Sequence, residues 1–119
     1  MERLRRRTDL QRVFDEGRRL RSPWAVLQAR PWSPDQDLPA GPRLAVIAGR
    51  RFPNAVQRTR ARRLLRETCR VVLGQAEPPW DLILIAQPQV LSVPFAERVR
   101  VLSALLHQAG VLGEKAVAV

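Results

Sequence analysis

Residues 54–72 form the stretch that most constrains this chain. At about 100° per residue, Ala61, Leu64, Leu65, Thr68 and Val72 fall within one arc of roughly 100°, while Arg58, Arg62, Arg63, Arg66 and Arg70 fill a separate arc of roughly 140°. Pro53 precedes the stretch and Asn54 stands where a helix cap is needed, so a long helix starting there wastes no intrahelical donor. One side of that helix has to pack against something apolar, and the other is left for solvent or a ligand.

A chain of 119 residues is long enough for one domain and one modest core, burying roughly 65% of its unfolded surface. Residues 1–119 are therefore expected to form a single domain. The formal net charge is +10, and of the 21 basic residues only Lys115 is not arginine. Arginine's planar fork holds phosphate bidentately and stacks on bases, whereas lysine supplies a point charge. The expected partner is a polyanion: nucleic acid first, an anionic membrane surface second, an acidic protein third. A preference for arginine codons explains arginine over lysine but not the excess of charge.

The lone cysteine, Cys69, excludes an internal disulfide and a multi-cysteine zinc site. No signal peptide is evident, and the apolar runs fall far short of the roughly 20 residues a membrane span requires, so a cytoplasmic protein is expected. Residues 1–7 carry four arginines and read as a flexible basic arm.

The other elements follow from local signals. Thr8 as cap and Gln11 three residues on predict a short helix with Leu10, Val13 and Phe14 on one face and Gly17 as its stop. Residues 24–29 read as a strand; a loop over 31–42, made acidic by Asp35 and Asp37, separates it from a second strand at 44–48, suggesting an antiparallel hairpin pair. The run 82–86 has no polar alternation, as expected of a central strand covered on both faces. Residues 95–108 return to helical spacing, with Val99, Leu102, Leu105 and Leu106 inward and Arg98 beyond that edge. A further short strand fits near 50–52 or Val90. The order gives an α/β fold, a small two-layer sandwich with a central sheet of about four strands and a long basic helix.

Autonomous chemistry is not indicated. His107, the single histidine, reads as a helix-terminal surface residue, and Asp9, Asp15, Glu16, Glu67, Asp81 and Glu97 lack metal-ligand spacing. A phosphate-binding glycine loop and a nucleophile elbow are both absent. Glu67 suits an ion pair with Arg63 or Arg70, Cys69 a core-adjacent filler, and Trp24, Trp32 and Trp80 packing anchors.

The segment Arg50-Arg51-Phe52-Pro53-Asn54-Ala55-Val56-Gln57-Arg58-Thr59-Arg60-Ala61-Arg62-Arg63-Leu64-Leu65-Arg66-Glu67 resembles the hallmark of the bacterial ribonuclease P protein component: a basic pair, Gly-Asn/Lys-Ala-Val, Arg-Asn-Arg, a second basic pair and Leu-Arg-Glu. The segments at 8–17 and 80–86 resemble that family's opening helix and Asp-hydrophobic strand. The resemblance implies an accessory role in an RNA enzyme, in which a catalytic RNA subunit holding Mg2+ removes the 5′ leader of precursor tRNA. On that basis the protein itself binds no metal tightly and needs neither a membrane nor an obligate protein partner. It further implies that Arg50, Arg51, Asn54, Arg58, Thr59, Arg60, Arg62, Arg63, Arg66 and Arg70 contact the catalytic RNA, and that Phe14, Trp24, Val26, Gln28 and Arg30 line a cleft for the leader. A left-handed parallel crossover through the long helix is implied as well, against the usual rule. Three departures stand out: Thr59 replaces asparagine, Pro53 replaces glycine, and Gln28 stands where an aromatic is common. Two other functions remain open at this stage, a general RNA chaperone with no enzyme partner and a self-contained small nuclease.

Overall fold

The computed structural model describes residues 2–32, 42–74 and 80–112. Its elements in chain order are β1 (Glu2–Arg3), α1 (Arg7–Glu16), β2 (Arg18–Arg21), β3 (Ala25–Pro31), β4 (Arg43–Ala48), α2 (Ala55–Leu73), β5 (Trp80–Ala86), a 3-10 turn (Pro88–Ser92) and α3 (Phe95–Ala109). The expected acidic loop with Asp35 and Asp37, the segment 75–79 and the tail with Lys115 lie outside the described residues.

The five strands lie in the order β1-β4-β5-β3-β2. β5 is parallel to β4 and antiparallel to β3, and it occupies the middle because Leu82, Ile83 and Leu84 are buried from both sides. That placement corrects the expected β3–β4 hairpin: the two strands run in opposite directions but are separated by β5, whose uninterrupted apolar sequence claims the position with two covered faces. The connection from β4 through α2 to β5 is a parallel crossover between neighbours.

Pleating divides the sheet's side chains between two cores. Leu27, Ala29, Leu44, Val46, Leu82 and Leu84 meet Ala61, Leu65, Cys69 and Leu73 of α2 and Leu102, Leu105 and Leu106 of α3. On the other face Ile83 meets Val13 of α1 and Leu4, with Leu10, Ala45, Ile47 and Ile85 partly covered around them. The buried stripe of α2 is turned slightly from the expected one, since Leu64 is only half-buried while Cys69 and Leu73 are fully inside.

Several local expectations need correcting. The basic arm is anchored: Glu2 and Arg3 pair in parallel with Arg43 and Leu44, and Leu4 is buried against Val13. α1 starts at Arg7, with Arg6 as a cap that makes no side-chain bond, so Thr8 lies inside the first turn. Gly17 does stop the helix, through close approach: a Cβ there would sit 2.4 Å from the Val13 carbonyl oxygen. Val90 belongs to the 3-10 turn, and Arg50–Phe52 form a turn closed by the Phe52 amide donating to the Gly49 carbonyl at 3.3 Å. Among the described residues Glu67 makes no ion pair within 4.0 Å. Arg98, expected beyond the apolar edge of α3, is buried: Nε donates to Thr68 Oγ1 at 3.1 Å, Nη1 donates to the Val93 carbonyl at 2.7 Å, and the guanidinium lies 5.5 Å from the Phe95 ring. Bonds to neutral oxygens and a ring face let that charge bridge α2 and α3 without a carboxylate.

One ion network fastens α1 and the sheet. Arg43 and Asp81 are register partners on β4 and β5, and their side chains form a bidentate pair, Nε to Oδ1 and Nη2 to Oδ2, both 2.7 Å. Trp32 Nε1 donates to the same carboxylate at 2.8 Å, and Arg43 Nη1 reaches Asp9 on α1 at 3.3 Å. Hydrogen bonding to Asp81 outweighs burial and holds the Arg43 guanidinium above its ordinary pKa. Asp81→Ala would leave this arginine half of a buried pair, and is expected to cost about 3–5 kcal/mol of stability in urea unfolding. Burial pushes the Cys69 thiol from 9.0 up to about 12. Above pH 9 the unfolded chain therefore loses a proton that the folded chain keeps, and this group's contribution falls as pH rises toward 12. Cys69→Ala should flatten that alkaline loss in unfolding measured against pH, and the native thiol should resist a thiol reagent until the protein unfolds.

Candidate nucleic-acid interface

The turn after β4 delivers the chain to α2. Asn54 caps the helix by accepting from the Gln57 amide at 2.9 Å, and no described residue other than Gly110 has a positive φ, so Pro53 fits a turn that requires no left-handed residue. Arg50 and Arg51 are exposed, and Arg51 Nη1 donates to Gln87 Oε1 at 3.1 Å just past the end of β5.

The arginines of α2 form two stripes. Arg58, Arg62 and Arg66 are half-buried along the side nearer the sheet, where Arg58 Nη1 donates to the Phe52 carbonyl at 3.3 Å. Partial burial, together with the like charges of Arg3 and Arg62, pulls the Arg66 pKa below its ordinary value, a crowding that an approaching polyanion relieves. Arg60, Arg63 and Arg70 are exposed. They border two adjoining grooves on the helix surface. One of about 450 Å³ is lined by Ala55, Val56, Thr59, Arg60 and Arg63, and one of about 430 Å³ by Thr59, Arg63, Arg66, Glu67 and Arg70. Thr59 sits where the grooves meet, its hydroxyl oxygen 3.4 Å from Arg62 Nη2. All ten expected RNA-contacting residues thus lie on this turn and helix.

A second surface lies on the sheet face that α1 only partly covers. Strand register aligns Arg21, Val26, Ile85 and Ile47 in one rung and Arg19, Gln28, Ile83 and Ala45 in the next, with side chains of each rung on the same face. Phe14 stands exposed on α1, while Ile47, Ile85 and Ala45 are partly open. Of the residues expected to line the cleft, Val26 and Gln28 lie on this face but are nearly buried, and Arg30 is held by Glu16 at 3.2 Å. Trp24 does not line it. The Ser22 turn, in which the Ser22 amide donates to the Ala25 carbonyl at 2.8 Å, takes Trp24 out of the strand's alternation and into the main core. Arg19 and Arg21 were not anticipated; the alternation in Arg-Leu-Arg, with Leu20 turned to the core, was the available signal.

Among the described residues no three His, Cys, Asp or Glu side chains come together to hold a metal ion, and His107 lies exposed near the end of α3. Among the described residues no helix is long and apolar enough to cross a membrane.

The family model described as Ribonuclease P matches residues 1–110. The chain belongs to the ribonuclease P protein family. It is 39% identical over 111 residues to the ribonuclease P protein component of Chloroflexus aggregans, an alignment covering 92% of this chain and 78% of that one. Against the Gluconacetobacter diazotrophicus component the identity is 39% over 114 residues, with 93% of each chain covered. Among solved structures, the RNase P protein of Thermotoga maritima superposes with a TM-score of 0.68 at 26% identity, covering 95% of this chain and 99% of that one. The Staphylococcus aureus protein shares the fold with a TM-score of 0.77 at 21% identity, again over 95% and 99%. The α/β architecture, with its mixed sheet and long basic helix, is thus the ribonuclease P protein fold.

Opposite substitutions on α2 test the two faces. Arg62→Ala with Arg66→Ala should leave the melting midpoint nearly unchanged, weaken RNA binding and make its log–log salt dependence shallower by about 1.4 to 1.8. Leu65→Ala should instead cost roughly 2–5 kcal/mol in unfolding, because that side chain is wholly inside the core.

Proposed function

We propose that this chain is the protein subunit of a ribonuclease P holoenzyme, acting with a catalytic RNA to remove the 5′ leader from precursor tRNA in the cytoplasm. The observation that carries the proposal is the junction of two unlike surfaces at one turn. The rung Arg21, Val26, Ile85 and Ile47 lies at the end of the sheet from which the chain leaves β4 for Arg50, Arg51 and α2. A rigid arginine helix suits folded RNA, whose phosphates recur along a groove. A half-open, partly apolar sheet face with an exposed phenylalanine suits an unpaired strand whose bases can stack and bury. Substrate and catalytic RNA would then meet at the turn between them.

In this division of labour, cleavage chemistry and its Mg2+ belong to the RNA subunit. The arginines of α2 neutralise phosphates so that RNA segments can approach each other, while the sheet face holds the leader. Thr59 offers a hydroxyl between the grooves in place of the family's amide, giving up one hydrogen-bonding group but keeping both donor and acceptor character.

Reconstitution with the cognate RNA subunit at low Mg2+ checks the proposal. Addition of this protein should raise cleavage of precursor tRNA and tighten binding of substrates with a leader more than of substrates without one. Equal binding to unrelated structured RNAs and no stimulation would favour a general RNA chaperone, and cleavage by RNA-free protein would favour a nuclease.

A further inference from the structure

The proposed function uses strand β2 only through the place of Arg21 in one rung of the sheet. The strand forms the edge of the sheet, paired only with β3, and three of its four residues are arginine. Arg18 is occupied, its Nη1 donating to the Gln108 carbonyl at the end of α3 at 2.9 Å, and Leu20 packs on the main core. Arg19 and Arg21 point to the other face, opposite Gln28 and Val26, and both are exposed, their side chains making no ion pair or hydrogen bond among the described residues. Two residues along a strand span about 6.5–7 Å. That is comparable with the step between phosphates in an extended single strand of RNA.

A second observation falls on the same rung. Gln28 is 3% exposed, and its Oε1 has no hydrogen-bond partner. Its cross-strand neighbours on that face are Arg19 and Ile83, and Val26 and Arg30 flank it along β3; neither arginine donates to it. A buried carboxamide oxygen without a donor is a standing cost that an incoming N–H or O–H removes. Arginines on an edge strand can also serve only to discourage edge-to-edge pairing, but that role gives no reason for an unpaired acceptor beside them.

We infer that Arg19, Arg21 and Gln28 form a nucleotide seat at the β2 lip of the sheet. The two guanidiniums hold successive backbone phosphates of single-stranded RNA, and Gln28 Oε1 accepts a hydrogen bond from a base amine or ribose hydroxyl between them. The seat extends the leader's path across the sheet to β2, the edge opposite β1. This rests on the proposal that the cleft receives the leader.

The test uses the reconstituted holoenzyme with two precursor tRNAs, one bearing a long leader and one trimmed to a single leader nucleotide. For Arg19→Ala with Arg21→Ala, affinity for the long-leader substrate should fall on the order of tenfold near physiological salt, and its log–log salt slope should become shallower by about 1.4, two single-strand phosphates' worth. Affinities for the trimmed substrate and for the catalytic RNA alone should stay the same, as should the melting midpoint. Gln28→Met should weaken long-leader binding without changing its salt slope. If the wild-type holoenzyme prefers the long leader and the double variant keeps the full salt slope, the seat is wrong and the leader cleft stands. Equal losses for the trimmed substrate or the catalytic RNA would assign these arginines to another RNA contact and overturn the seat. A wild-type holoenzyme indifferent to leader length would remove both.

Discussion

The fold turns on one carboxylate. Asp81 lies buried in the central strand, where a bare charge is not tolerated, and it is matched by Arg43 at the same register on the neighbouring strand. Four elements meet through that pair: β5 supplies the acid, β4 the guanidinium, Trp32 past the end of β3 an indole donor, and α1 a second carboxylate at Asp9. The indole is also a cation–π neighbour, with the Arg43 guanidinium 5.9 Å from its ring. Because α1 is held at Asp9 at one end and by Glu16 on Arg30 at the other, it covers only part of its sheet face. The open remainder is the proposed leader cleft.

The same chemistry explains where the net charge of +10 resides. Asp9 and Glu16 of α1 and Asp81 of β5 are taken up by Arg12, Arg30 and Arg43, Asp15 accepts from Gln11, and Glu97 lies against Arg100 on α3. On α2 the only acid is Glu67, which is exposed and makes no ion pair with its neighbouring arginines. Neutralisation among the described residues is therefore local to the parts of the protein that pack, and uncompensated charge is left on α2, on the turn before it, on β2 and on the arginines at 3–7. Arginine serves both ends because its five donors can be satisfied by backbone carbonyls and hydroxyls, as at Arg98, or left open for phosphate.

How much of this was legible depended on the range of the interaction. The cap at Asn54, the two-faced α2, the buried β5 and the extent of α3 follow from periodicity and local chemistry within a single element, and all four are visible in the residues. β2 and the pairing of Glu2 with Arg43 were not, because a two-residue strand and a strand with Leu20 as its one apolar position carry too little alternation of their own and exist through their neighbours' hydrogen bonds. The β3–β4 pairing failed for a related reason: nearness in sequence argues for a hairpin, and only the competition for the doubly covered position places β5 between them. Arg98 was misplaced because a charge at the edge of an apolar stripe gives no sign that Thr68 and the Val93 carbonyl wait for it across the helix interface.

The candidate site followed the same division. The α2 residues named from family resemblance lie together on one helix and the turn before it, in two stripes that helical spacing determines. The resemblance failed for Trp24, one residue before β3 begins, because the Ser22 turn breaks the alternation that would have brought its side chain beside Val26. Gln28 shows the converse. It keeps the strand's alternation, and its departure from the family's usual aromatic has a physical consequence, since an aromatic ring buried there would leave no acceptor unsatisfied, whereas the carboxamide does. A substitution that trades stacking for an unpaired hydrogen-bond acceptor changes the kind of contact the cleft can offer, from one indifferent to base identity toward one that demands a donor.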